Sequence, residues 1–471
     1  MSAVIPSVRF SLPYPARPTA LRPDSPFGLN LQMEARSWSV PEMRAAVRFC
    51  AAAGIRWSRE EFHWHHLMPT RGRFRWRRMD SAVDLTLQHG ISIMGIVAYW
   101  AGPWDNATGP DPGWADAYNP AGIRDYCRLL RACVRRYKDR VHCWQIWNEP
   151  NGRYDKRRGK DILRGFWKGT PAQYADMLRA GYETCKEEDP DCTVVGFNMA
   201  LCDLEWAEAL FADGLLEYAD VVSFHPYRWL QAPEDQADAL AAHCFDRDYP
   251  TRWMSHAEEA QALRALISRY TTTPKPLWVT ELSWHAALNH ASLPELEAAQ
   301  YMARGYLSLL GPGGVDKLFW YDLREPSVGL ATPALMPRYF AAAVATLSQV
   351  LEGKRFAAAY EIGPGNYAHL WRGAEQDTLA LWTTCPTPQF AQVQLSDRSD
   401  WQLVDLFGVP HSKSRLDRTD PLLIPLGRGV RYLITPPGSV REVTQLRQFL
   451  YELPRNHTSG HVPEDPYRTV L

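Results

Sequence analysis

The sequence predicts a (β/α)8 TIM barrel followed by a C-terminal antiparallel β-sandwich. Three observations carry that prediction. A short apolar strand, a loop and an amphipathic helix recur eight times between residue 27 and about residue 352. The strands are nearly continuous apolar runs, as parallel strands buried on both faces require. After Gly353 the pattern changes to short alternating segments divided by Gly, Pro and Asp turns, which is the signature of antiparallel sheet. A count of eight fits a closed barrel. An open doubly wound sheet would use a Gly-rich dinucleotide turn, and the sequence has none.

Taken in order, residues 1–26 form a proline-rich arm. Phe27 to Leu31 is the first strand. Ser39-Val40-Pro41-Glu42 opens the first helix as a capping box, and Gly54 closes it. The second strand is expected over Ile55 to Arg59, the third over Ile91 to Tyr99 and the fourth over Val141 to Asn148. The fifth follows over Thr193 to Asn198, the sixth over Val221 to His225, the seventh over Leu277 to Thr280 and the eighth over Val315 to Tyr321. Helical patterns separate them, among them Pro171 to Glu187 behind the N-cap Thr170, and Pro294 to Leu310. The barrel therefore occupies 27–352 and the sandwich 353–438, with Ala368 to Trp371 and Leu379 to Trp382 as two of its strands. A last amphipathic helix is expected over Val440 to Leu453, inside a terminal segment 439–471.

Length and composition bound the function. At 471 residues the chain exceeds the roughly 100–200 residues of one domain, so a large barrel with an appended module is reasonable. A formal charge of −1 gives no reason to expect nucleic acid or a membrane surface as partner. No apolar run approaches the ~20 residues of a membrane span. Nine scattered cysteines without zinc-ribbon spacing read as free thiols of a reducing compartment. Met1 to Arg22 lacks the apolar core of a signal peptide, so a cytoplasmic location is expected. The 19 Trp and 21 Tyr offer flat apolar faces that suit sugar rings as well as cores.

The chemistry concentrates at Cys143-Trp144-Gln145-Ile146-Trp147-Asn148-Glu149-Pro150. An apolar strand ends there in a proline, which has no N–H to continue pairing. Glu149 thus sits where a barrel strand passes into its loop, the position from which catalytic side chains project. Leu277-Trp278-Val279-Thr280-Glu281 has the same shape 132 residues later (281 − 149). Two carboxylates at strand ends suggest a paired acid/base and nucleophile, the requirement of glycosidic cleavage.

The order of these motifs resembles the clan A glycoside hydrolases, most closely the family 39 type. The likeness covers nearly the whole chain. Gly54-Ile55-Arg56-Trp57-Ser58-Arg59 with Trp64, Gly72, Phe74, Trp76 and Asp80 is similar to the clan's second βα unit. Gln173-Tyr174 with Asp189-Pro190 resembles the approach to the fifth strand, and Val222 to Tyr227 matches the sixth-strand motif. Asp405 to Gly408 and Arg431 to Leu433 look like the appended sandwich.

The resemblance implies a metal-free, cofactor-free retaining glycosidase with a carbohydrate substrate. Glu149 would be the general acid and then base, and Glu281 the nucleophile kept ionised by Arg59. Asn148 would hydrogen-bond the sugar 2-hydroxyl, Tyr227 would donate to Glu281, and His225 would orient the acid or the substrate. Trp320 would stack under the sugar, with Trp284 and Trp100 completing the substrate-binding set. Trp100, Trp104 and Trp114 would wall further subsites, favouring an oligo- or polysaccharide.

Two features point elsewhere. His63-Trp64-His65-His66 with His225 and Asp322 can be assembled into a metal-hydrolase site. That reading has the His-x-His on the second strand, and its fifth strand offers no Lys or His. The stretch Arg153 to Lys168 carries a local balance of +5, from seven basic residues against Asp155 and Asp161. It is either a solvated loop or an attractor of an anionic glycan through Arg157 and Arg158. A non-catalytic carbohydrate-binding protein on the same frame is the alternative from another functional class.

Overall fold

A computed structural model describes residues 25–70, 72–99, 123–155, 160–163, 166–167, 170–236, 254–286, 292–398, 400–411 and 420–446. The first four barrel strands are β1 (Phe27–Asn30), β2 (Trp57–His63), β3 (Ser92–Ala98) and β4 (Cys143–Ile146). A hairpin of β5 (Arg153–Asp155) and β6 (Lys160–Leu163) follows. The remaining barrel strands are β7 (Thr193–Ala200), β8 (Val221–His225), β9 (Leu277–Leu282) and β10 (Lys317–Trp320). They close in the order β1-β10-β9-β8-β7-β4-β3-β2, and every pairing is parallel. The expected (β/α)8 barrel is present, and its strand ends collect on one rim.

Local signals set the outer helices as the sequence suggested. In the helix Val40–Ala52 the Ser39 hydroxyl accepts from Glu42 N, and Glu42 Oε2 accepts from Ser39 N at 2.9 Å. Gly54, at φ +79°, turns the chain out of that helix in a conformation that L side chains avoid. Thr170 and Gln173 form the same reciprocal cap at the start of Pro171–Glu188. Strand β2 runs four residues beyond its expected end. Glu60 and Glu61, beyond that expected end, are both buried within it.

The C-terminal module has a five-stranded sheet of β11 (Arg355–Glu361), β12 (Asn366–Arg372), β13 (Asp377–Thr383), β17 (Arg431–Thr435) and β15 (Gln402–Val404). Its second sheet contains β14 (Gln389–Leu395), β16 (Leu422–Leu426) and β18 (Val440–Gln445). Leu370, Leu381, Val393 and Ile424 fill the space between the sheets. The larger sheet also packs on the barrel, because Trp371, Trp382 and Tyr432 belong to the barrel's own hydrophobic core. Glu234 pins this junction: it pairs with Arg304 at 2.9 Å and accepts from Trp382 Nε1 at 2.8 Å. Barrel and sandwich thus share one core.

The helix expected over Val440 to Leu453 is overturned where the structure describes it. Val440–Gln445 is a strand paired antiparallel with β14, and residues beyond 446 lie outside the described set. The register shifts between Gln394 and Leu395, so one residue of β18 is extra. That bulge places Val440 and Val443, three apart, on the same buried face, which mimics a helical period. No helix among the described residues is long and apolar enough to cross a membrane. The described cysteines are unbridged, and all but Cys385 are buried.

Candidate active site

The rim of the barrel is organised by Arg59. Its side chain, wholly buried on β2, spends its donors on four partners from three other strands. Nη1 donates to Glu281 Oε1 at 2.6 Å and to Asn30 Oδ1 at 2.7 Å. Nη2 donates to Asn148 Oδ1 at 2.7 Å, and Nε to Gln145 Oε1 at 2.8 Å. A planar fork with five N–H groups suits this role. Asn30 in turn donates through Nδ2 to the carbonyls of Thr280 and Trp320, tying the ends of β9 and β10 to β1.

Glu149 is delivered by a strained exit from β4. Trp147 and Glu149 adopt positive φ, +61° and +44°, a conformation that costs on the order of 1–3 kcal/mol per residue. The neighbouring strand holds that turn. Asn198, itself at φ +46° beside a bulge in β7, donates through Nδ2 to Ile146 O at 2.8 Å and accepts Glu149 N on its carbonyl at 3.0 Å. The Ser223 hydroxyl fixes the Asn198 side chain from β8. Gln145 completes the support by donating to Trp147 O at 2.8 Å.

The two carboxylates meet through His225. Its Nδ1 is hydrogen-bonded to Glu149 Oε1 at 2.8 Å, and its Nε2 to Thr280 Oγ1 at 2.9 Å. Tyr227 OH donates to Glu281 Oε2 at 2.8 Å. One donor atom each from Glu149, His225 and Glu281 all fall within 4.8 Å of one another. Burial pushes the Glu149 carboxyl above its ordinary value, with His225 pulling the other way and the Glu281 charge adding to the rise. Burial alone would do the same to Glu281. The charges of His225 and Arg59 and the Tyr227 hydroxyl instead hold it below its ordinary value. The pKa values of two like groups a few ångströms apart are thereby pushed in opposite directions.

These three groups are also the one metal-type cluster among the described residues, but they fit a cation poorly. Both His225 nitrogens already have partners, and Glu281 has Arg59 as counter-ion. Of the metal-hydrolase alternative only His225 belongs to this cluster. His63 stacks on His66, which pairs with Glu34 at 3.2 Å, while Asp322 pairs with Arg36 at 2.5 Å.

The aromatic expectations divide. Trp320 and Trp284 are fully buried, stacked on one another with ring centroids 6.2 Å apart. Their indole N–H groups donate to Val328 O and Gln231 O. They build the barrel wall and leave no face to a sugar, a correction of the stacking platform predicted from Trp320. Tyr227, Trp229 and Tyr321 keep partial exposure nearby. Trp100, Trp104 and Trp114, and the side chains of the basic stretch 153–165, lie outside the described residues.

Sequence reasoning missed Asn30, Gln145, Asn198 and Thr280, which position the residues it found. Asn30 and Gln145 are lone polar residues inside apolar parallel strands, and that isolation was the available signal. It also missed Glu61, a third buried carboxyl at the rim.

No protein-family model matches the chain. A family 39 glycoside hydrolase from the gut symbiont Bacteroides cellulosilyticus WH2 superposes with a TM-score of 0.68 at 20% identity, over 83% of this chain and 78% of that one. The chain has the fold of that hydrolase. A family 39 β-xylosidase from Caulobacter crescentus gives 0.56 at 15% identity over 88% and 97% of the two chains. A family 30 subfamily 8 xylanase from Clostridium acetobutylicum gives 0.59 at 13% identity over 84% and 92%. In sequence, endo-1,4-beta-xylanase C of Paenibacillus barcinonensis is 25% identical over 140 residues. That match takes in 27% of this chain and 12% of that xylanase.

Proposed function

We propose that the chain is a retaining glycoside hydrolase that cleaves β-glycosidic bonds in an oligo- or polysaccharide. The observation that carries the reading is the pair Glu149 and Glu281. They project from the ends of two barrel strands separated by β7 and β8, have carboxylate oxygens within 4.8 Å, and are biased toward protonated and ionised states respectively. A separation near 5–5.5 Å accompanies retention, whereas inverting enzymes leave about 6.5–9.5 Å for a water. The relatives in fold and sequence, described as xylosidases and xylanases among others, support a carbohydrate substrate for this chain as well.

In the first step a Glu281 carboxylate oxygen attacks the anomeric carbon while Glu149 protonates the departing glycosidic oxygen. The C–O bond to the leaving group breaks and an ester to Glu281 forms. In the second step Glu149, now ionised, takes a proton from water as that water displaces Glu281. Asn148, its carbonyl oxygen held by Arg59, has its amide N–H groups left for the sugar 2-hydroxyl. His225 holds Glu149 in line, and Tyr227 keeps Glu281 oriented and charged.

The test is the anomeric configuration of the first-formed product, followed by NMR during hydrolysis of an activated β-glycoside. Retention supports the double displacement. The inverted sugar appearing first would exclude the covalent intermediate.

A further inference from the structure

The carboxyl group of Glu61 has no assigned part in the reaction above, yet it shares the site. Arg59 and Glu61 are two residues apart on β2, so both side chains point into the barrel, Glu61 about 6.6 Å nearer the rim. The adjacent Glu60 shows what a purely structural carboxyl looks like here. Its Oε1 accepts from Ser58 Oγ at 2.9 Å and its Oε2 from Met33 N at 3.0 Å, so both oxygens are used.

Glu61 is built differently. Its Oε1 accepts from Gln32 Nε2 at 2.7 Å and from Tyr99 OH at 3.4 Å. Gln32 is itself fixed by Arg36 Nε, which donates to Gln32 Oε1 at 2.9 Å. Among the described residues Oε2 has no hydrogen-bond partner, and it is not sealed from solvent. The residue is only 8% exposed and makes no ion pair among the described residues. Buried carboxyls are ordinarily paired or fully hydrogen-bonded. One oxygen is therefore clamped from two sides while the other is left open, on a carboxyl close enough to feel the charge of Glu281. That is how an acceptor is presented to a ligand hydroxyl.

We propose that Glu61 is a specificity-determining residue, whose open oxygen accepts a hydroxyl of the sugar attacked by Glu281 and whose acidity excludes a uronic acid from that subsite. The inference rests on the glycosidase reading and deepens it. Electrostatics support the second half. Of the two arginines whose charge acts on Glu61, Arg36 is already committed to Asp322 at 2.5 Å and to Tyr321 OH, and Arg59 is committed to Glu281. Burial, with the Glu281 charge adding to it, pushes Glu61 itself up to about 7 despite both arginines. A place that barely tolerates one more negative charge would meet a sugar carboxylate with repulsion.

The experiment uses the full chain and a panel of 2,4-dinitrophenyl β-glycosides. It comprises the xyloside, glucoside, galactoside and mannoside, the glucuronide, and monodeoxy forms of whichever neutral member turns over fastest. The proposal expects kcat/KM on a neutral glycoside to exceed that on the uronide. One ring-deoxy analogue should lose about 10- to 100-fold, the usual loss when a site built for a hydroxyl meets its absence. Glu61→Gln should lose a similar factor on the parent glycoside, lose little further on that deoxy analogue, and narrow the gap to the uronide.

A wild-type enzyme that prefers the uronide, or whose deoxy series is flat, overturns the proposal without any variant, so failure of Glu61→Gln to fold does not shelter it. Unchanged kcat/KM in folded Glu61→Gln also overturns it. If activity disappears in Glu281→Gln while Glu61→Gln matches wild type, only this inference fails. If no glycoside is turned over, or if Glu281→Gln is as active as wild type, the glycosidase reading fails and this inference with it.

Discussion

Arg59 Nη1 stands 2.6 Å from Glu281 Oε1, with the arginine fully buried and the carboxylate nearly so. The pair is the keystone of the site. The same guanidinium fixes the side chain of Asn148, one residue before Glu149, and so sets both carboxylates from one buried cation. Its other three partners, Gln145, Asn30 and Asn148, all meet it with acceptor oxygens.

Arg59→Lys therefore should not behave as a conservative change. A single ammonium cannot serve Asn30, Gln145, Asn148 and Glu281 together, so buried acceptors are left unpaired at a cost of about 3–5 kcal/mol. Thermal unfolding should show the loss, and kcat should fall by roughly 100-fold or more as the carboxylates lose alignment. A variant with near-native Tm and kcat would show that Arg59 is dispensable.

The opposite shifts of the two carboxylates predict a broad bell in kcat/KM against pH. The acid limb reports Glu281, which must be ionised and whose value is lowered, so activity persists into acid. The alkaline limb reports loss of the proton on Glu149, whose value is raised. Because the groups interact, the limbs belong to the pair. Tyr227→Phe removes a hydrogen bond that favours the ionised nucleophile, so its acid limb should move to higher pH, with kcat reduced about 10-fold. Glu149→Gln should lose the alkaline limb on a substrate whose leaving group needs no proton.

Much of this was legible in the sequence because the barrel repeats one rule eight times. Eight of the nine named site residues fall within the described set, and Glu149, Glu281, Asn148, Arg59, His225 and Tyr227 are brought together. Strand-end motifs locate such residues because a parallel barrel turns sequence position into position on the rim. Trp320 went astray because a strand-end tryptophan reads the same whether its neighbours cover it or not. Here Trp284 and Phe340 cover it. The second strand was ended at Arg59, short of Glu60 and Glu61, because burial of two adjacent carboxyls opposes the usual partition of charge. Val440 to Gln445 was read as helix because a bulge in the paired strands gave it a three-residue period.

Glu60 links stability to pH. Burial raises its folded-state value to about 8 from an ordinary 4.5. The folded protein thus holds this proton more tightly than the unfolded chain does. Its contribution is complete below about pH 4.5 and is lost as pH climbs through about 8. Glu60→Gln, which cannot ionise, should therefore gain on wild type as pH rises, by on the order of 4 kcal/mol between pH 5 and 9. Urea midpoints across that range measure it, and parallel curves would refute the assignment.

The shared core predicts that the sandwich cannot be removed. Trp382→Phe deletes the N–H that reaches Glu234 and leaves part of a buried ion pair undersatisfied, so it should cost about 1–3 kcal/mol in one cooperative transition. Two separate unfolding steps in calorimetry would mean that the modules are independent.

The central claim is that Glu281 forms a bond to the sugar. The most direct measurement is mass spectrometry of the intact protein and its peptides after incubation with 2-fluoro-2-deoxy β-glycosides activated at the anomeric carbon. The neutral series and the glucuronide should be run side by side, with Glu281→Gln as control. The account predicts a mass gain of one fluorosugar, mapped to Glu281 and absent from the control. A label on any other residue, or one that survives Glu281→Gln, would contradict it, as would a folded protein left unlabelled by every member of the series.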